Sequence, residues 1–531
     1  MSAVQARSRT DSAKPGAWLV MLYMAADNNL SEDMVLALQD LQAEEPPQGC
    51  RIVAQFDPSG LGLAAQRYDF NREWPGDGIS RHLDPSYHAT EVNTGNVNSL
   101  TSFIKWAVAR YGHRDTRYFL ILSGHGSGIT EDFFLRDDGS MDSLTIDELT
   151  QALAEAAACI HEKTGSRPKL DLVGMDACFM SMGEVAYQIR RHADILIAAE
   201  GLESEFGWPY RRILARARDE AASAAARHAA VEPERLARAI VEEYVGHYSD
   251  FDRAAGRSSD LAAINLKAMP SVATAVRKLA DQFRKPGFHS HDALVLAHWY
   301  AQTYKYDQFV DLKDFCDRVK PLFRKVPAIV SACDDVVASL GRQAIIKSGC
   351  TGSACQYSHG LSIYFPWALV SPEYGQLEFA RRTGWHLFLN RHIRETRRAP
   401  RHEVAPPDKE QAARKSELQK ASRALMLMEK RRLSTMGRRG MASRAVSSSI
   451  GRRLRAAEHA ARNADVAPED LGGEVARRFL RGIGVIGRQS RHSEDSRHSE
   501  DSRHSEESRA LNDREKSIKN LAPVSGKSYW P

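Results

Sequence analysis

The chain has 531 residues, of which 43% are hydrophobic, enough to build a sizeable core and too many for a wholly disordered or fibrous protein. Its formal net charge of +5 conceals a split. Residues 1–392 carry 42 Lys and Arg against 49 Asp and Glu, whereas residues 393–531 carry 31 against 19, so the nets are −7 and +12. A whole-chain case for specific nucleic-acid binding is therefore excluded, and any basic partner surface belongs to the C-terminal segment.

Residues 1–16 (MSAVQARSRTDSAKPG) are polar, lack an apolar h-region and read as a disordered N-terminus rather than a secretory signal. WLVMLYMA (Trp18–Ala25) is a buried strand, followed by DNNLSED, where an Asp or Asn can cap the helix MVLALQDLQ. CRIVAQFD (Cys50–Asp57) is a second strand and SLTSFIKWAVARYG (Ser99–Gly112) a helix. RYFLILSGHG (Arg117–Gly126) is a third strand ending in glycines, and LTIDELTQALAEAA (Leu144–Ala157) a capped helix. KLDLVGMDACF (Lys169–Phe179) is a fourth, then SMGEVAYQIRRH a helix, then ADILIAAE (Ala193–Glu200) a fifth strand. Buried runs alternating with amphipathic helices predict an α/β fold, a mostly parallel central sheet covered on both faces. Ligands of such sheets bind beyond the carboxyl ends of the strands.

Arg211–Tyr248 is helical, and DLAAINL (Asp260–Leu266) and GLSIYFP (Gly360–Pro366) are later strands. Without a clean linker inside 17–392, the elements from about 251 onward are expected to pack on the same sheet as an accessory lobe. Residues 393–531 form a basic tail, rich in Arg, Ser, Ala and Glu, with the hexapeptide repeat RHSEDS–RHSEDS–RHSEES at Arg491–Ser508. Such a sequence cannot bury a core and predicts disorder with nascent helices; the sharper readings are an inhibitory segment, a membrane-surface contact or a docking segment for a regulatory protein. Seven cysteines without a CxxC pair predict free thiols, and no apolar stretch reaches the ~18 residues of a membrane span. A cytoplasmic location is the expectation.

Two strand ends carry the chemistry. Leu122-Ser123-Gly124-His125-Gly126-Ser127-Gly128 puts a histidine between glycines directly after a buried strand. Gly174-Met175-Asp176-Ala177-Cys178-Phe179-Met180 puts a thiol at the next strand-to-helix turn, where oriented backbone N–H groups favour thiolate. Parallel strands lie about 4.8 Å apart, so adjacent ends bring imidazole and thiol within reach, which suits Cys–His nucleophilic catalysis. Singly, each residue reads as structural, a buried small thiol or a turn histidine. Other motifs fail. The third glycine of a GxGxxG loop from Gly124 would fall on Ile129, and Asp137-Asp138-Gly139 has Phe134 where an EF-hand needs a ligand.

WLVMLYMAADNNL, the HGSG strand end, LVGMDACFMSMGEVAYQI, AAEGLESEFGWPY and SHGLSIYFP occur in the order found in the clostripain family of cysteine peptidases, a branch of the caspase-like clan. The resemblance covers residues 17–392 and implies a caspase-like α/β/α sandwich. It implies His125 and Cys178 as a catalytic dyad, with the amides of Gly126 and Cys178 as oxyanion hole, and a cysteine endopeptidase acting on polypeptides. It implies that Asp176 lines the pocket for the residue before the cut, giving preference for Arg or Lys. The family commonly has a second acid before the Gly-Trp pair, where this chain has Phe206, so either Glu205 substitutes beside it or the pocket holds a single carboxylate and basic specificity is looser. Family members are often zymogens cut between the His and Cys strands, and here Arg136 is the expected processing site. Some members use Ca2+, which is not required by the dyad chemistry, and no spacing around Glu131–Asp142 supports a named metal site. The competing reading is a catalytically silent caspase-like scaffold acting through its basic tail, though both His125 and Cys178 are present.

Overall fold

In the computed structural model, the residues described are 7–8, 17–60, 63–87, 91–129, 134–165, 167–204, 206–254, 258–305 and 307–398. An eight-stranded sheet organises them. In chain order its strands are β1 (Trp18–Ala26), β2 (Cys50–Pro58), β3 (Gln66–Asp69), β4 (Arg117–Ser123), β5 (Leu170–Asp176), β6 (Ala193–Ala198), β7 (Ser259–Asn265) and β8 (Ile345–Thr351). Across the sheet they run β8-β7-β6-β5-β4-β1-β2-β3. The five central strands, β2, β1, β4, β5 and β6, are mutually parallel. The edges β3 and β7–β8 are antiparallel.

The alternation within each strand explains the layers. Leu22, Met24, Ile52, Ala54, Phe119, Ile121, Leu172 and Ile195 point to one face. There they meet Met34, Leu38 and Leu41 of helix Ser31–Ala43, Ile213 and Leu214 of Tyr210–Ala225, and Ile240 and Tyr244 of Pro233–Ala254. Helices Val97–Tyr111, Ile146–Thr164, Gly183–Ile189 and Met269–Phe283 follow one another over the opposite face. The predicted α/β/α sandwich is the observed one. Full burial of a large apolar side chain is worth roughly 1.5–3 kcal/mol, so these two cores fix the strand ends firmly.

The helix expected after Thr145 forms with a capping box, Thr145 Oγ1 accepting from Glu148 N at 3.1 Å, and stops where Gly165 turns left-handed at φ 66°. The expected cap on Ser31–Ala43 does not: no side chain caps it. Asn28 instead donates from Nδ2 to the carbonyls of Ala25 at 2.9 Å and Arg136 at 2.7 Å. The later strands divide. Ser259–Asn265 joins the main sheet as expected, whereas Ser362–Tyr364 pairs with Phe309–Asp311 in a separate three-stranded sheet with Thr303–Tyr304. Its partner lies far earlier in the chain, and a short run taken alone could not announce which sheet it would join. Within the expected disordered N-terminus, Arg7–Ser8 pairs with Arg72–Glu73. At the other boundary, helix Trp385–Arg398 continues past residue 392. The remaining N-terminal residues, and the tail from 399 with its repeat and any docking segment, lie outside the described residues. Among the described residues no helix is long and apolar enough to cross a membrane.

Candidate active site

The register of the central sheet brings together the two turns that carry the expected catalytic residues. β4 and β5 are adjacent and parallel, with Ser123 opposite Asp176. His125 and Cys178 each lie two residues beyond that pair, and the Gly124 amide donates to the Asp176 carbonyl at 3.2 Å, carrying the contact past the strand ends. Gly126 closes the approach. A Cβ built on it would meet the Cys178 carbonyl oxygen at 2.3 Å and the Cys178 nitrogen at 3.0 Å, so only glycine lets the two turns touch here. Among the described residues the amides of Gly126 and Cys178 donate to no other backbone carbonyl.

The turn carrying Cys178 is held rigidly. The Phe179 amide donates to the Gly201 carbonyl at 2.9 Å, and Ser181 N to Ala199 O at 2.8 Å. Phe179 adopts φ +63°, a left-handed conformation costing a non-glycine residue on the order of 1–2 kcal/mol. Its ring packs edge-on against Phe309, 6.1 Å between centroids.

Two expectations about protonation change. The helix after Cys178 starts only at Gly183, so the thiol does not sit at a helix N-terminus. Burial raises the Cys178 pKa; the Glu203 amide, donating to Sγ at 3.3 Å, opposes the rise, and the Asp176 charge adds to it. His125 is displaced downward by burial first and by the Arg136 charge second. Both displacements favour the neutral forms, thiol and imidazole.

Sequence reasoning missed the residue that orients the imidazole. Asn29 Oδ1 lies 2.8 Å from His125 Nε2. An amide oxygen only accepts, so it holds the proton on Nε2 and leaves Nδ1 bare. The available signal was position, since Asn29 follows β1, whose end abuts that of β4 at Met24 and Ser123.

Asp176 sits below the thiol, buried, accepting from Tyr210 OH at 2.7 Å and Ser123 Oγ at 3.1 Å. Glu203 and Gly207 of the following loop stand against it. Trp208 anchors this loop in the core, and Gly174 makes room: a Cβ there would lie 2.7 Å from the indole ring. A Cβ on Gly207, which has φ +66°, would stand 3.0 Å from an Asp176 oxygen. Glu203 is a buried acid beside Asp176, and the expected Glu205 lies outside the described residues. Both Glu203 carboxyl oxygens are buried without a hydrogen-bond donor. Burial first, then the neighbouring Asp176 and Cys178, push Glu203 well above the ordinary carboxylate range. Phe206, 39% exposed, and Leu202, 61% exposed, stand on the same loop as an apolar rim.

Arg136 occupies strand Phe134–Asp137, which forms a hairpin with Asp142–Leu144 between the His and Cys strands. It is exposed as expected, but it pairs with Asp138 at 2.5 Å. The Leu135 amide donates to the His125 carbonyl at 2.9 Å, so this hairpin lies beside the histidine. All seven cysteines are free.

A model of the clostripain family (peptidase C11) matches residues 22–388. Clostripain from Hathewaya histolytica is 26% identical over 250 residues, 40% of this chain and 44% of that protein, so the match spans less than half the length of this curated relative. In three dimensions the chain is similar to an inactive zymogen C11 protease from Parabacteroides distasonis, with TM-score 0.51, 20% identity and coverage of 71% of this chain and 99% of that one. It is likewise similar to a secreted C11 cysteine protease from Bacteroides thetaiotaomicron in complex with an irreversible peptide inhibitor, with TM-score 0.50, 18% identity and coverage of 70% and 100%. These likenesses support the fold, and the family pattern runs through both strand ends that carry His125 and Cys178: the chain belongs to the clostripain family of cysteine peptidases.

Proposed function

We propose that this chain is a cysteine endopeptidase that cuts polypeptides after Arg or Lys, using Cys178 as nucleophile and His125 as its base and acid. The observation that carries this reading is the Ser123–Asp176 register, which sets both residues at the same distance past neighbouring parallel strands. With the thiol neutral at rest, His125 Nδ1 takes its proton as the sulfur attacks the scissile carbonyl. The same proton then passes to the leaving amine, and water hydrolyses the acyl-enzyme. The amides of Gly126 and Cys178 are suited to receive the oxyanion, a role worth roughly 3–4 kcal/mol per donor in such sites.

Specificity follows from charge. Asp176 and Glu203 form a buried carboxyl pair sharing a proton beside the thiol. A guanidinium or ammonium entering between them replaces that proton, and Leu202 and Phe206 cover its aliphatic stem. The test is hydrolysis of fluorogenic peptides ending in Arg, Lys, Phe or Asp by the parent chain, Cys178→Ala and His125→Ala. Arg and Lys peptides cut by the parent alone support the reading; cleavage that survives Cys178→Ala removes it. Processing after Arg136 belongs to the same proposal, because the site lies in an exposed hairpin beside His125. Arg136→Ala should then keep the purified protein as one band on a denaturing gel, and a band that still splits there contradicts it.

A further inference from the structure

A second group of buried acids, unused by the chemistry at Cys178, is tied to the turn that carries it. Glu200 follows β6, Asp260 lies in β7 and Asp311 ends strand Phe309–Asp311; each is at most 1% exposed. Asp260 accepts from the amides of Glu200 at 2.8 Å and Gly201 at 2.9 Å. Glu200 Oε2 accepts from the Gly360 amide at 2.6 Å, and its side chain meets that of Asp311. Two buried carboxyl groups in contact share a proton rather than both ionise, so what holds Asp311 also holds Glu200.

Three N–H groups hold Asp311. Asp314 N donates to Oδ1 at 2.7 Å and His359 N to Oδ2 at 2.5 Å. The third is the His359 ring, whose Nδ1 lies 3.1 Å from Oδ1. Lys313 Nζ stands 3.3 Å from Nε2 of the same ring. An ammonium only donates, so here Nε2 is bare and Nδ1 carries the proton that goes to Asp311. Protonation of the ring leaves the Nδ1 bond in place.

The same segments suspend the nucleophile. Phe179 N donates to the Gly201 carbonyl and Ser181 N to that of Ala199, while Ser181 Oγ donates to the Gly360 carbonyl at 2.7 Å. The fit is close: a Cβ on Gly201 would lie 2.8 Å from Asp260 Oδ1. Glu203, whose amide donates to Cys178 Sγ, is two residues further along. A shift of 199–201 therefore moves both the thiol and its donor.

We propose that His359 is a positioning residue for Cys178: through Asp311 and Glu200 it fixes segments 199–201 and 359–361, and with them the turn that presents the thiol. This inference rests on Cys178 being the nucleophile and adds a residue that acts only through others. The His359 side chain is 33% exposed, so replacing it opens no core cavity.

Full-length parent, His359→Ala, His359→Asn and His359→Gln are compared by steady-state kinetics on an Arg peptide. The rate at which iodoacetamide alkylates Cys178 is read in parallel by peptide mass spectrometry. An Asn amide sits where Nδ1 does and can donate to Asp311, whereas a Gln amide sits where Nε2 does. His359→Ala should lower kcat at least about tenfold with KM within about twofold, since misplacing a reacting group by ~1 Å can cost about 100-fold. Alkylation should slow alongside, because the thiol loses its placement against the Glu203 amide. His359→Asn should recover most of both losses and His359→Gln little. Parent-like kcat and alkylation in His359→Ala overturn the inference, as does a rise in KM at unchanged kcat. Asn and Gln variants that behave alike overturn it too, and this comparison decides the matter if the Ala variant does not fold. A parent that is alkylated at Cys178 but cuts no peptide removes the peptidase reading instead, and the variants' alkylation rates then decide the positioning role by themselves.

Discussion

The side-chain oxygen of Asn29 stands 2.8 Å from Nε2 of His125, which fixes the imidazole with its bare nitrogen on the other edge of the ring. A base that must accept a thiol proton needs that tautomer, and free rotation would present it only part of the time. Asn29→Ala should lower kcat about tenfold or more with KM nearly unchanged, and should shift the acid limb of the pH–rate profile. Asn29→Gln should recover part of the loss. A variant whose pH profile and kcat match the parent would show that Asn29 plays no positioning role.

The Glu203–Asp176 pair makes substrate preference depend on pH. Glu203 is raised above its ordinary value, so in the free protein it keeps a proton in a range where an exposed glutamate has lost it. A basic side chain must displace that proton, hence KM for Arg peptides should fall as pH rises through the raised value. KM for peptides with a neutral residue before the cut should not follow. Glu203→Gln should flatten the dependence and reduce the Arg-over-Phe ratio of kcat/KM at least about tenfold. Steady-state kinetics on matched peptides across pH decide it; an Arg preference untouched by Glu203→Gln would move the specificity elsewhere.

A buried acid on the helix after the thiol gives a separate stability signature. Glu184 is fully buried, accepts from Tyr374 OH at 2.8 Å and Tyr364 N at 3.1 Å, and burial raises it to about 7. The unfolded chain releases this proton near the ordinary glutamate value, so between there and about 7 the folded state binds more protons. Its contribution is therefore full below that window and is lost as pH rises through it, on the order of 3 kcal/mol in all. Denaturant midpoints measured from about pH 4.5 to pH 8 should fall less steeply in Glu184→Gln than in the parent. Parallel curves for the two proteins would contradict the assignment.

Strand identity and the position of His125 and Cys178 were legible because both rest on local pattern: buried apolar runs, and glycines or a turn directly after them. The five parallel strands and the capped helix at Thr145 follow from such signals. What stayed hidden depends on tertiary proximity. Asn29 reads as a helix cap until the β1–β4 register puts it against His125. Glu203 is one of several acids in its loop until Trp208, docked on Gly174, folds that loop over Asp176. Ser362–Tyr364 is a strand in isolation, yet its pairing with Phe309–Asp311 is decided by a distant hairpin. The thiol's rise in pKa likewise comes from burial in the folded chain, which no spacing around Cys178 encodes.

The central claim is that Cys178 is the nucleophile of a site that accepts a basic side chain. The most direct measurement is intact and peptide mass spectrometry after incubation with an irreversible, Lys- or Arg-bearing acyloxymethyl ketone. One inhibitor per chain on Cys178, blocked by His125→Ala and in competition with Arg peptides, is the predicted result. An unlabelled Cys178, or label spread over the other six thiols, would contradict it.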